Sequence, residues 1–279
     1  MTGVLRITSR NARFQQWQAL LTSRAKRHQL GEFLVQGVRP ISLAAEAGWR
    51  FRALIYDADR PLSAWAQAML GAADAVRVAM SAELLAELGE KDEGHPELLA
   101  VVEMPADDLG RIEVGRDFLG LALDRPASPG NLGSIIRSAD AFGAAGVVIT
   151  GHAADPYDPR SVRASTGSLF ARPVIRVPSP REPTAWLAAQ QAGGCPIALV
   201  GADEGGDRDV FDADLTVPML LVLGNETAGL SATWREQCDY LVRIPMTGSA
   251  SSLNVANAAT VVLYEAARQR ILAIRQASC

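Results

Sequence analysis

Apolar residues in the first hundred positions follow patterns that predict alternating helices and strands. Phe14, Trp17 and Leu20 recur at helical spacing, which predicts one helix over residues 11–30. Short apolar runs predict strands at 32–37, 52–56, 75–78 and 100–104, with helices at 38–47, 63–70 and 81–88. Because strands that alternate with helices build layered sheets, residues 1–105 are expected to form a small α/β domain.

A second series of apolar runs follows residues 106–117, a polar, acidic stretch that we interpret as a linker. Residues 118–123 are continuously apolar, as in a strand of a buried parallel sheet. Further strands are predicted at 146–150, 172–177, 196–201, 220–223 and 239–244, and helices at 131–142 and 184–192. Residues 118–279 are therefore expected to form a second α/β domain around a mostly parallel sheet.

The stretch 244–267 combines a loop of small polar residues with an apolar helix. Ser251 or Ser252 is the expected N-cap of this helix. The apolar positions surround the helix axis and are Leu253, Val255, Ala256, Ala259, Val262, Leu263 and Ala266. A helix that is apolar on nearly all sides is expected to be buried. Asn254 and Asn257 share a face in its first turn, where they either satisfy loop carbonyls or mark a binding site at the helix N-terminus.

The composition of the chain, 279 residues with 48% apolar and 21% charged side chains, is typical of a soluble globular protein. No apolar run approaches the roughly 20 residues that span a bilayer, and we see no apolar core of a signal peptide, so we expect a cytoplasmic protein. The three cysteines form no CxxC pair and the three histidines are scattered, so we expect neither a disulfide framework nor a metal site.

Charge is distributed unevenly along the chain. The net charge is −4, but residues 1–52 carry nine basic and two acidic residues, a surplus of +7, whereas the remainder carries −11. A solvated helix surface explains one or two of these arginines but not the excess, which indicates a face that contacts nucleic acid. The candidate RNA-binding residues in this region are Arg6, Arg10, Arg13, Arg24, Lys26 and Arg27.

Three loops of the second domain follow the carboxyl ends of predicted strands, where ligands bind open α/β sheets. In the first, Asn131 is the expected N-cap of a helix that carries Arg137 on its polar side; the alternative is that Arg137 is a surface residue paired with Asp140. In the second, Gly224 follows a buried strand, which often marks close backbone approach to a ligand, and Glu226 is either functional or a surface turn acid. The third is the loop before the apolar helix.

Nucleotide-binding glycine motifs are missing from these loops. No G-x-G-x-x-G joins a strand to a helix, which disfavours an ordinary nicotinamide or flavin dehydrogenase, and no Walker A sequence indicates an NTPase.

Three ordered motifs resemble those of the SpoU/TrmH group of SPOUT RNA ribose methyltransferases. They are Asn131-x-x-x-x-x-Arg137 with Phe142-Gly143, Leu223-Gly224-Asn225-Glu226-x-x-Gly229, and Ile244-Pro245-Met246 with Ser251-Ser252-Leu253-Asn254. The amino-terminal half is similar to the L30e-like domain that holds RNA in two-domain members. Segments in both halves are most similar to the members that act on large-subunit ribosomal RNA and confer resistance to orthosomycins such as avilamycin.

The resemblance implies a particular fold and cofactor for the second domain. In this family the chain forms a deep trefoil knot, and S-adenosylmethionine is held there largely by backbone groups. By motif position these groups belong to Gly224, Ile244 and Leu253, with Gly201 or Ala202 as a further candidate after the preceding strand. The family is homodimeric through the carboxyl-terminal domain, with an active site shared across the interface.

The resemblance also implies a reaction, methylation of a ribose 2′-oxygen in 23S ribosomal RNA. Family proposals make the arginine that matches Arg137 the general base. Because arginine stays protonated in proteins, we prefer that it clamps a phosphate and stabilises the 2′-oxyanion. Asn131 would orient the substrate or the arginine, Glu226 would position Arg137 or the partner chain's equivalent, and Ser252 and Asn254 would line the pocket for the target ribose.

Two further expectations concern RNA binding and the target. Arg163 and Ser165 suit phosphate contact, although they could instead belong to an N-cap and turn. The expected target is a uridine near the peptidyl-transferase centre, giving antibiotic resistance. The alternatives are a tRNA ribose methyltransferase, a catalytically silent RNA-binding or ribosome-assembly factor, and an unrelated nucleotide-binding α/β enzyme.

Overall fold

The apolar runs form two separate sheets, each the centre of one structural unit. A computed structural model describes residues 4–89 and 96–277. Contacts between Cα atoms divide the chain into a first unit, Met1–Pro105 with Tyr157–Ala171, and a second unit, Ala106–Pro156 with Arg172–Cys279. Residues 157–171, which lie inside the predicted second domain, thus group with the first unit. The domain boundaries drawn from the sequence stay a prediction.

The first unit is a five-stranded mixed sheet with helices packed on it. Its amino-terminal elements are β1 (Leu5–Ile7), α1 (Ala12–Thr22), α2 (Arg24–Leu30), β2 (Glu32–Gln36), α3 (Val38–Glu46) and β3 (Phe51–Asp57). They are followed by α4 (Ala64–Ala72), β4 (Val76–Met80), α5 (Ala82–Leu88) and β5 (Leu98–Glu103). The strand order is β1-β4-β3-β5-β2, with β5 antiparallel to both of its neighbours. The α1 residues Phe14, Trp17 and Leu20 are buried in its core, as their spacing predicts.

The single helix predicted over residues 11–30 is wrong, because the chain breaks at Ser23. Ser23 has extended backbone angles (φ −115°, ψ 106°), and its hydroxyl accepts a hydrogen bond from the Lys26 N–H at 3.3 Å. Serine competes with the helix for backbone hydrogen bonds and is favoured at N-caps. The break produces two helices, α1 and α2.

The segment 157–171 adds two short helices to the first unit, α7 (Pro159–Ser165) and α8 (Ser168–Ala171). The Trp49 indole N–H donates to the Phe170 carbonyl at 3.1 Å. The ring of Phe33 lies 4.8 Å from that of Tyr157 and 6.2 Å from that of Phe170, measured between centroids. Aromatic pairs at these separations contribute beyond their buried area, so this segment is part of the unit's core.

The second unit contains a seven-stranded, entirely parallel sheet. Its elements before the segment are a 3₁₀ turn (Leu109–Arg111), β6 (Leu119–Asp124), α6 (Pro129–Ala141) and β7 (Gly146–Thr150). After it come β8 (Val174–Val177), α9 (Arg181–Ala192), β9 (Ala198–Ala202), β10 (Arg208–Asp209), β11 (Met219–Leu223), α10 (Ala232–Gln237), β12 (Tyr240–Arg243) and α11 (Val255–Ala277). The predicted parallel α/β sheet is confirmed, in the order β10-β12-β9-β11-β6-β7-β8.

Strand register brings four strand ends to one edge of this sheet. Leu223 at the end of β11 pairs with Leu123 of β6 and with Ala202 of β9, and Ala202 pairs with Val242 of β12. Parallel strands present their carboxyl ends at the same edge, so the loops after β6, β9, β11 and β12 are neighbours.

The long carboxyl-terminal helix α11 is buried on one face only. The prediction that this helix is buried on nearly all sides is therefore wrong for the single chain. The helix packs on α6, and its buried residues are Ala256, Ala259, Val262, Leu263 and Ala266. Its other face leaves Val261, Tyr264, Ile271 and Leu272 exposed, and residues 271–277 at its end, Ile274 among them, are all exposed. Among the described residues no helix has the length and apolar character needed to cross a membrane.

The start of α11 also differs from the prediction. Leu253 precedes the helix and is exposed, and neither Ser251 nor Ser252 caps it. The Asn254 carboxamide oxygen instead accepts a hydrogen bond from the Ala256 N–H at 2.9 Å. Asparagine caps helices as well as serine does, and it lies nearer to the first helical residue.

Candidate functional site

A cleft of about 260 Å³ lies at the sheet edge where the strand ends meet. The loops after β9, β11 and β12 and the start of α11 form its walls. Its lining includes Ala202, Asp203, Glu204, Leu223, Gly224, Asn225, Glu226, Ile244, Met246, Ser252, Leu253 and Val255. This is the edge where the sequence pattern placed a ligand site.

Four of the five candidate cofactor-binding residues line this cleft. They are Ala202, Gly224, Ile244 and Leu253. Gly201 does not, because it is buried in β9 beneath the wall. A Cβ atom there would lie 2.5 Å from the Leu241 side chain. A glycine is therefore required here for packing, and a cofactor contact at Gly201 stays a prediction.

Gly224 is needed because the chain folds back on it. A Cβ at this position would lie 2.2 Å from the carbonyl carbon of Gly229 and 2.4 Å from the Leu230 nitrogen. Asn225 and Gly229 exchange two backbone hydrogen bonds of 3.0 Å, which close the loop. The close approach expected at Gly224 is thus made by the protein's own backbone.

One hydrogen-bonded chain of side chains joins the three motif loops. The Glu226 carboxylate accepts from the backbone N–H groups of Ala127 (2.9 Å) and Ser128 (3.1 Å) and from the Asn131 side-chain amide (3.2 Å). The Asn254 amide in turn donates to the Asn131 carboxamide oxygen at 3.2 Å. Three residues predicted to act together therefore lie in contact, although their positions in sequence span 123 residues.

These contacts keep Glu226 ionised. Partial burial raises the pKa of the Glu226 carboxyl, but the hydrogen bonds from Ala127, Asn131 and Ser128 outweigh it, and the pKa lies below its ordinary value. Glu226 is thus an anionic anchor for the loop after β6.

Asn131 is not the N-cap of α6 as predicted. Ser128 caps the helix, and its hydroxyl accepts from the Asn131 N–H at 3.3 Å. Pro129 occupies the first helical position, which suits proline because the N–H it lacks has no partner there. Asn131 therefore lies in the first turn of α6, with its side chain free to reach Glu226 and Asn254.

Arg137 extends from α6 into solvent. Within residues 4–89 and 96–277 the Arg137 side chain makes no hydrogen bond or ion pair. Asp140, its alternative partner, instead accepts from the Arg172 guanidinium at 2.8 Å. No hydrogen bond or ion pair joins Glu226 to Arg137 within the described residues, so the expectation that Glu226 positions the same chain's arginine is corrected. Ser252 is likewise exposed at the cleft wall.

Two candidate RNA-binding residues of the first unit are structural. Arg27 is 2% exposed; it donates to the Leu20 carbonyl at 2.7 Å and pairs with Asp158 at 3.6 Å. Ser165 is fully buried, and its hydroxyl donates to the Val162 carbonyl at 2.7 Å. Neither side chain can reach an RNA phosphate in this fold, so both assignments are corrected.

The other basic candidates are exposed on the first unit. They are Arg6, Arg10, Arg13, Arg24, Lys26 and Arg163. Arg10 also pairs with Glu87, which raises the pKa of its guanidinium. The described residues contain no group of three or more His, Cys, Asp or Glu side chains that could hold a metal ion.

Sequence reasoning missed Arg125, which lies in the turn after β6. Its φ of +53° is unfavourable for a residue with a side chain, at a cost of roughly 1–2 kcal/mol. The Arg125 guanidinium binds both oxygens of the buried Asp124 carboxylate, and this hydrogen bonding raises its pKa. The sequence analysis singled out the helix that follows and not this turn, because a positive φ at a residue other than glycine leaves no pattern in the sequence.

Comparisons with known proteins agree with this geometry. Residues 119–264 match the model of the SpoU rRNA Methylase family, and residues 11–100 match that of the SpoU L30e-like domain. A 23S rRNA (uridine(2479)-2′-O)-methyltransferase of Streptomyces viridochromogenes is 66% identical over 266 residues, covering 95% of this chain and 93% of the relative.

Solved structures give the same result. The SpoU methyltransferase AviRb of Streptomyces viridochromogenes in complex with AdoMet superposes with a TM-score of 0.91 at 66% identity, covering 94% of this chain and 99% of that one. An AdoMet-bound rRNA methyltransferase of Sinorhizobium meliloti gives 0.84 at 30% identity, covering 95% and 98%.

Proposed function

We propose that this chain, which belongs to the SpoU rRNA methylase family and is a 23S rRNA 2′-O-methyltransferase that uses S-adenosylmethionine, methylates a uridine ribose near the peptidyl-transferase centre. We further propose that this methylation confers resistance to orthosomycins such as avilamycin. The enzyme would act in the cytoplasm, where ribosomal RNA is found. The observation that carries the proposal is the Glu226–Asn131–Asn254 chain, which joins all three motifs beside the cleft that Glu226 lines.

The cleft suits S-adenosylmethionine. Apolar side chains of Ile244, Met246 and Leu253 can cover an adenine ring, and the ends of β9 and β11 offer backbone groups beside them. We propose that Ala202, Gly224, Ile244 and Leu253 hold the cofactor in a knotted carboxyl-terminal chain. When bound, the cofactor supplies an electrophilic methyl group.

Arg137 is proposed to act on the RNA. Its guanidinium is exposed and has no hydrogen-bond or ion-pair partner among the described residues. It could therefore bind an RNA phosphate and stabilise the negative charge that develops on the 2′-oxygen. Because arginine does not serve as a base in proteins, the phosphate or a water takes the 2′-hydroxyl proton. Glu226 holds Asn131, and Asn131 orients Asn254 beside Ser252, where the target ribose would lie.

Two surfaces are proposed to complete the enzyme. The exposed apolar face of α11, on which Tyr264 is 55% and Ile271 50% exposed, supports a homodimer through the second unit. The exposed basic side chains of the first unit support binding of RNA phosphates, which should weaken steeply as salt rises.

Transfer of a tritium-labelled methyl group to 23S RNA, followed by mapping of ribose methylation, tests this function. We expect one modified uridine with wild-type protein. Arg137→Ala should lower the rate on the order of 100-fold, whereas Arg181→Ala, which removes an exposed charge from α9, should not. Methylation of tRNA but not 23S RNA would refute the target. An Arg137→Lys rate close to wild type would refute a bidentate clamp.

A further inference from the structure

The turn between β6 and α6 is built around Arg125. Its φ of +53° lies in the left-handed region, where a residue with a side chain must be held by its surroundings. The Arg125 N–H donates to the Thr150 carbonyl at 3.0 Å, and its carbonyl accepts from the Asn225 side-chain amide at 2.7 Å. Both backbone groups of this residue are therefore fixed, one by β7 and one by the loop after β11.

The side chain of Arg125 is fixed as firmly as its backbone. Its Nε and Nη2 donate to the two Asp124 carboxylate oxygens at 2.9 Å and 3.0 Å. The Asp124 side chain is 3% exposed and also accepts from the Ser231 N–H at 2.7 Å. A Cβ at Gly151 would lie 2.9 Å from the Arg125 Cγ, so glycine there makes room for the arginine. A bidentate pair of this kind fixes orientation as well as distance.

The residues that follow Arg125 carry the hydrogen bonds of the active site. The Pro126 carbonyl accepts from the Ala154 N–H at 2.6 Å, and the Ala127 and Ser128 N–H groups donate to Glu226. The direction of these two N–H groups depends on the backbone angles at Arg125. A change of φ there would turn them away from Glu226.

We propose that Arg125 is a positioning residue for methyl transfer. Locked on Asp124, it holds the turn whose N–H groups keep Glu226, Asn131 and Asn254 aligned. This inference rests on the proposed function. It is favoured over direct phosphate binding because Nε and Nη2 are already committed to a buried carboxylate.

Kinetics of the full-length protein test this role through Arg125→Ala, Arg125→Lys, Glu226→Gln and the double variant Arg125→Ala/Glu226→Gln. We expect Arg125→Ala to lower kcat by about tenfold or more, because small misplacements of reacting groups are costly. The KM for RNA should stay within about twofold of wild type, because the substitution removes no contact that the enzyme makes equally with bound RNA and with the transition state. Arg125→Lys should retain part of the rate. The double variant should be no slower than the slower single variant, because both changes break one chain of contacts.

Hydrogen exchange provides a readout that is independent of activity. In Arg125→Ala the amides of Ala127 and Ser128 should exchange faster, while those of β6 stay protected and calorimetric binding of S-adenosylmethionine is kept. Arg181→Ala is the control for loss of an exposed charge and should change none of these. If Arg125→Ala does not fold, Arg125→Lys and Asp124→Asn take its place in both measurements.

The outcomes separate this inference from the proposed function. An unchanged kcat in Arg125→Ala, a raised KM for RNA with unchanged kcat, or additive effects in the double variant would each overturn the positioning role. A wild-type protein that methylates no RNA would overturn the proposed function instead. In that case the hydrogen-exchange measurement still applies. Unchanged exchange of the Ala127 and Ser128 amides in Arg125→Ala would show that Arg125 does not fix the turn.

Discussion

The residues of the candidate active site form a chain of hydrogen bonds in which the Glu226 carboxylate has several partners. Glu226 accepts two backbone N–H groups and one side-chain amide, and these bonds lower the pKa of its carboxyl despite partial burial. A group whose pKa is lower in the folded state stabilises that state above its ordinary pKa, and the contribution is lost as the pH falls through the folded value. The site should therefore be insensitive to pH around neutrality.

Glu226→Gln should lower stability at pH 7 by about 1 kcal/mol, because the amide cannot accept all three bonds. The difference from wild type should shrink as the pH falls below the ordinary glutamate value and through the lowered pKa of the folded state. Thermal denaturation of both proteins across pH 3–8 measures it. Glu204→Gln, an exposed acid at the same cleft, is the matched control. A difference that stays constant as the pH falls across this range would contradict this account.

Arg27 and Arg24 lie in the same helix but should behave oppositely. Arg27→Ala removes a buried cation and leaves Asp158 without this partner, which should cost about 3–5 kcal/mol. Arg24→Ala, at an exposed position, should leave the melting temperature unchanged and weaken RNA binding at low salt. Denaturation and filter-binding assays compare the two. An Arg27→Ala protein that is stable but binds RNA weakly would reverse our assignment.

Which arginines would be buried could not be predicted, since charge pattern alone does not distinguish Arg27 from Arg24. Buried Arg27 pairs with Asp158, which is 131 residues away in sequence. Asp158 caps α7, a short helix that the apolar pattern of the sequence does not predict. Ser165 was misassigned for the same reason. By contrast, family motifs mark Asn131, Glu226 and Asn254, so these residues could be picked out from the sequence. The hydrogen bonds that join them could not be predicted.

The elements of the fold were predictable where apolar runs were long. The strand at 146–150 was predicted with the observed bounds, and most strands of the parallel sheet lie within two residues of prediction. Short elements with little periodicity, such as β1, α7, α8, β10 and α10, were missed. The end of α1 was missed because Ser23 interrupts an otherwise continuous helical pattern.

Closure of the loop after β11 depends on the absence of a side chain at Gly224. Gly224→Ala would force a Cβ against backbone atoms at 2.2 Å, and we expect a loss of about 3 kcal/mol or more with weaker binding of S-adenosylmethionine. Gly248→Ala, where nothing lies within 4 Å, should keep wild-type stability. Thermal denaturation and calorimetry test both. Equal stability of the two variants would show that the loop can relax.

At the scale of the whole molecule, the exposed face of α11 should decide the oligomeric state. Tyr264→Asp places a charge in the proposed dimer interface and should yield a monomer by analytical ultracentrifugation. Phe211→Asp, at an equally exposed aromatic outside α11, should remain a dimer. If the wild-type protein is a monomer at micromolar concentration, the proposed homodimer is wrong.

The placement of residues 157–171 in the first unit limits how this protein can be divided. The polypeptide leaves the methylase sheet after β7, contributes Tyr157 and Phe170 to the other core, and returns before β8. A fragment cut at residue 105 would carry these rings without Phe33 and Trp49 to cover them, and should aggregate. Chimaeras that exchange specificity between related enzymes must therefore transplant two discontinuous pieces of chain together.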